Sequence, residues 1–197
     1  MSPKPRKVIT PSQTVGPFFS FCLTPSPSSR EPLATNVLRG DDAAGTPVVV
    51  AGTVFDGDGR PVTDALIEIW QADAMGRYSD VQGHSPQSTF TGFGRATCDA
   101  QGRYRIDTLK PGCVPAPEGG LQAPHLALGI FARGLNRRLY TRVYFDDESL
   151  NRTDLVLSRV PAARRSTLIA VRCDGDDREY RFDIRLQGEG ETVFLEA

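Results

Sequence analysis

Histidine is the scarcest candidate ligand in the chain: only His84 and His125 occur among 197 residues, and neither has a histidine neighbour. A metal centre built by this chain alone therefore has two imidazoles at most. His125 opens the segment HLALGIFAR, where strand geometry would place Ala127, Gly129, Phe131 and Arg133 on its side. A single strand histidine is more often structural than a ligand. The four cysteines, Cys22, Cys98, Cys113 and Cys173, are scattered without a C-x-x-C pair. They are too few for a disulfide-stapled scaffold and are expected as free thiols. With no G-x-S-x-G and no Cys/His signature, serine and cysteine hydrolase chemistry is set aside.

The acidic and glycine-rich stretches are equally unpromising. DGDGRPVTD from Asp56 suggests calcium, but an EF-hand loop needs Gly at its sixth position and Glu at its twelfth, where Pro61 and Ile67 stand. A hairpin turn is the expectation. GEGET has Gly188 and Gly190 but Val193 where a dinucleotide fingerprint needs its third glycine, and it lies between strands instead of opening a helix. DGDD at 174–177 reads as a solvated turn.

The elements around these residues are mostly strands. VVVAGTVF follows Pro47, and ALIEIWQAD puts Ile67 and Ile69 on one side with Leu66, Glu68 and Trp70 on the other. A DAQG turn leads into RYRIDTL, and HLALGIFAR and LYTRVYF look like core strands. YRFDIRLQ has the cleanest period of two, and ETVFLE should close the sheet. PAARRSTLIAV, with Pro161 at its start, is the one helical segment. Residues 1–46, broken by Pro and Gly, form an irregular arm, and 47–197 form the body of a single domain. The expected class is all-β: a two-sheet antiparallel β-sandwich with the N-terminal arm and one short helix.

Composition excludes several partners. Lys+Arg 23 against Asp+Glu 24 lacks the surplus that phosphate neutralisation needs, so nucleic acid is not expected. Apolar residues at 39% and charged residues at 24% suit a globular chain in water. No apolar run reaches the roughly 18 residues of a membrane span, and MSPKPRKVIT has no apolar h-region behind its charges. The expected location is the cytoplasm.

In TPSQTVGPFF, IEIWQADAMGRY, LKPG, APHLALGIFARG, TRVYFDDE and YRFDIRLQGEGETVF the chain resembles the intradiol ring-cleavage dioxygenases, from Thr10 almost to the end. The resemblance implies a β-sandwich enzyme that uses ferric iron to insert both atoms of O₂ into a catechol ring. Two Tyr and two His hold the iron in catalytic members. Carried over by motif, Tyr78 matches the first tyrosine and His125 the first histidine, but Val114 replaces the second tyrosine and Ala127 the second histidine. Two ligands are lost, so this chain should hold no catalytic iron.

The resemblance further implies an alpha-type chain that pairs with a homologous, iron-bearing beta chain in a higher-order heteromer acting on protocatechuate. Thr14, Gly16 and Pro17 would then line the beta chain's substrate pocket. Arg133 would attract the substrate carboxylate there. It lies eight positions past His125, roughly 26 Å along a straight strand, so it should serve the partner's pocket. The alternatives are an arm that merely packs on the surface, and a binding or scaffold sandwich that has left catalysis.

Overall fold

The computed structural model of the chain describes residues 13–16, 19, 23–24, 32–79 and 89–196. Pro17, His84 and Cys22 lie outside them. The strands are β1 (Pro47–Phe55), β2 (Leu66–Gln71), β3 (Phe93–Thr97), β4 (Arg103–Leu109), β5 (Val114–Pro115) and β6 (Leu121–Gln122). They continue with β7 (His125–Phe131), β8 (Leu139–Phe145), β9 (Ile169–Arg172), β10 (Glu179–Arg181) and β11 (Ile184–Arg185).

The β-rich class is as the alternation predicts, but the sheet arrangement differs from two separate antiparallel sheets. One ladder holds β11, β1 and β10, with β4 also on β1; the other holds β8, β7, β2 and β3. Strand β9 pairs with both β10 and β8 and joins the ladders into one path. Three pairings are parallel: β1 with β10, β1 with β11, and β8 with β9. Such pairs join strands that are distant in sequence, so local periodicity carries no sign of them. The ladders bury their apolar residues in one core that includes Val50, Ile69, Ile106, Leu128, Val143 and Ile184. Leu38, from the arm, joins that core, and its N–H donates to Asp107 O at 2.8 Å.

Two local expectations change. A short α-helix, α1 (Leu155–Arg159), stands ahead of PAARRSTLIAV, capped by Asp154, whose carboxylate accepts from Leu157 N. In the segment expected as the helix, Ala162–Leu168 forms a 3-10 helix and the chain then becomes β9. The β-branched Ile169 and Val171 favour that extended ending. ETVFLE forms no strand and contributes one bridge, Tyr140 to Leu195.

YRFDIRLQ keeps its alternation but breaks into β10 and β11 at Phe182. There the Phe182 carbonyl turns to accept the buried Tyr104 hydroxyl at 2.5 Å and crosses close over Gly52. A Cβ on Gly52 would lie 1.9 Å from that oxygen. Gly52→Ala should therefore cost about 3 kcal/mol through forced displacement of the backbone, read as a lower urea midpoint with an unchanged slope.

One turn recurs three times and holds the strand ends: D-x-x-G-R at Asp56–Arg60, Asp73–Arg77 and Asp99–Arg103. In each, the Asp Oδ1 accepts two backbone N–H groups at 2.8 to 2.9 Å. The glycine takes a positive φ of 71 to 77°. Among the described residues no helix is long and apolar enough to cross a membrane.

Candidate functional site

Paired residues on neighbouring strands share a face, so the register lays a row across four strands: Phe93, Trp70, Ala127 and Arg142. His125 pairs with Tyr144 in the next row on that face. The second D-x-x-G-R turn then brings Tyr78 back over Trp70, with ring centroids 5.9 Å apart and planes within 4°. The KPG loop is pressed against this turn. Gly112 N donates to Asp73 O at 2.9 Å, and a Cβ on Gly76 would meet Cys113 O at 2.0 Å. Neither glycine tolerates a side chain, and the tight contact fixes where Val114 begins β5.

Tyr78, Val114, His125 and Ala127 are thus gathered around Arg142, a residue that motif reading passed over. Val114 is buried and pairs with Gln122, whose Oε1 accepts from Arg142 Nη1 at 2.8 Å. Arg142 Nη1 also donates to the Tyr144 hydroxyl, which donates to Asp154 Oδ1 at 3.0 Å. Asp154 is fully buried and accepts from Ala123 N through its other oxygen. The signal for Arg142 was present in LYTRVYF, because alternation sends Arg142 and Tyr144 to the face opposite Val143.

These residues do not fit a ferric ion. Valine and alanine offer no donor atom at two of the four expected positions, and the permanent cation of Arg142 stands on the strand beside Ala127. Burial raises the Tyr78 phenol, an effect the Arg142 charge opposes. Burial and then Arg142 lower His125 to about 4, against the hydrogen bond between its Nδ1 and Ala123 O.

The neutral His125 gives the fold an acid limb. An unfolded chain takes up a proton on this ring below about pH 6.5, while the folded chain refuses it until about 4. Stability should fall as pH drops through that window, by about 3 kcal/mol at its lower end. His125→Gln should flatten that dependence, measured by urea unfolding at pH 7, 5.5 and 4.5.

The remaining candidates sit at the other end of β7. Arg133 follows the strand, is 63% exposed, and donates through Nε to Asp64. Thr14 and Gly16 are exposed, while Pro17 falls outside the described residues. Their neighbours Gln13 and Val15 line a groove of about 180 Å³ with Phe131, Ala132, Leu135, Arg137 and Arg138. Residues of the arm and of FARG therefore meet at one groove, while Thr14, Gly16 and Arg133 themselves are not among those that line it.

Three comparisons bear on this geometry. The dioxygenase family profile matches residues 15–188. The chain is 44% identical to the protocatechuate 3,4-dioxygenase alpha chain of Pseudomonas putida, covering 95% of this chain and 96% of that one. It is 35% identical to the protocatechuate 3,4-dioxygenase beta chain of Burkholderia cepacia, over 81% of this chain and 72% of that one. Among solved structures, the dioxygenase domain of a carbohydrate-binding fusion from Streptomyces sp. SirexAA-E superposes with a TM-score of 0.63. The identity is 30%, and the match covers 91% of this chain and 98% of that one.

Proposed function

Because this chain belongs to the dioxygenase family, we propose that it is an alpha subunit, without a metal of its own, of a ferric intradiol dioxygenase. The enzyme would open protocatechuate with O₂ to 3-carboxy-cis,cis-muconate, so that both oxygen atoms enter the product. One observation supports the reading: Val114 and Ala127, which offer no donor atom, stand around the cation Arg142, while Gln13 and Val15 of the arm and Phe131 and Ala132 of FARG line one groove away from them. Loss of catalysis in isolation leaves no reason for that groove. A subunit that completes a neighbour's pocket gives it one.

In this reading the iron resides on a homologous beta chain, and the pair repeats in a higher-order heteromer. Arg133 meets the carboxylate of protocatechuate at the pocket mouth, exchanging its exposed pair with Asp64 for the substrate. Such exposed pairs contribute only about 0 to 1 kcal/mol, so the exchange is cheap. Thr14, Gly16 and Pro17 line the pocket wall, where their small size lets the backbone approach a ring. Protocatechuate-dependent O₂ uptake should appear when this chain is produced together with a beta-chain homologue and be absent from either chain alone. Full activity of the beta homologue without this chain would overturn the proposal.

A further inference from the structure

Arg95 and Arg138 both pair with Glu68, at 2.9 and 3.0 Å. Arg142 does not: among the described residues no carboxylate pairs with it, and its Nε and Nη2 find no acceptor among them. The nearest negative charge in its network, Asp154, is separated from it by the Tyr144 hydroxyl and is occupied by Ala123 and Leu157. A half-buried guanidinium with a free donor edge is an anion receptor waiting for its anion, and the flat fork matches a carboxylate in two-point contact.

The surroundings specify what carries that anion. Arg142 and Trp70 are separated in their row by Ala127 alone, so their backbones lie about two strand spacings apart, roughly 10 Å. Alanine projects far less than either neighbour and is itself only partly buried, so the face dips between them. Its aromatic wall is the stacked Trp70 and Tyr78, at 39% and 41% exposure. Aromatic rings that stack on one another while open on one side hold a further planar ring well.

The geometry points to this depression as a binding site for a planar aromatic carboxylate, with its ring over Ala127 against Trp70 and Tyr78 and its carboxylate on Arg142. The inference rests on this geometry alone and is independent of the subunit reading.

Equilibrium dialysis with labelled benzoate, on the protein purified with whatever chain accompanies it, counts the sites. Wild type should bind one benzoate per copy of this chain beyond any held by the accompanying chain. Arg142→Gln, which removes the charge, and Ala127→Leu, which fills the depression, should each weaken that site about tenfold or more and leave the others in place. Acetate, lacking the ring, and phenol, lacking the carboxylate, should bind about tenfold more weakly. An unchanged count in either variant, or acetate bound as tightly as benzoate, would overturn the assignment.

Discussion

Arg133→Ala should lower kcat/KM for protocatechuate about ten- to a hundredfold in the assembled enzyme while its iron content and colour stay unchanged. The estimate follows from losing one charge-assisted contact, worth about 1.5 to 3 kcal/mol. Because Arg133 is 63% exposed and paired with Asp64 outside the core, its removal should leave the β7 core intact. Asp64→Asn provides the opposite control: freeing the guanidinium should leave kcat/KM unchanged or slightly raised. Unsubstituted catechol carries no carboxylate, so its turnover should hardly respond. An equal loss for both substrates would assign Arg133 to structure and not to recognition.

Rebuilding the lapsed centre should give the second large effect. Neither Val114→Tyr nor Ala127→His alone supplies a full ligand set, so neither should bind ferric iron tightly. Together with Tyr78 and His125 they complete it, and the double variant should exceed the sum of the singles by a wide margin. The guanidinium still opposes the ion. Two unit charges roughly 4 Å apart interact by about 4 kcal/mol at an effective dielectric near 20. Adding Arg142→Gln should therefore strengthen binding about a hundredfold or more. Iron titration with visible charge-transfer absorption reads each step. Equal, additive gains from the singles would mean that Val114 or Ala127 does not stand at a ligand position.

Much of this cluster was legible before the structure because its residues ride on local patterns. Tyr78 follows a D-x-x-G-R turn, and His125 and Ala127 fall on one face of a strand whose period is plain in HLALGIFAR. The missing part, Arg142, belongs to the site only through the pairing of β7 with β8, which places it opposite Ala127. The same limit applies to the fold. Alternation identified the strands, but the parallel pairing of β1 with β10 and β11, and the bridging role of β9, depend on contacts between distant segments. The helix was misplaced for a different reason. Pro161 starts helical turns well, but no local signal weighed the pairing of Ile169 and Ala170 with β8 against their continuation as helix.

The claim that this chain works beside a metal it does not hold is tested most directly by iron analysis and a visible spectrum of the chain purified alone. It should contain no stoichiometric iron and be colourless, and iron with its charge-transfer band should appear in proportion to the beta homologue when the two are combined. Tightly bound stoichiometric iron in the single chain, with that band present, would contradict it.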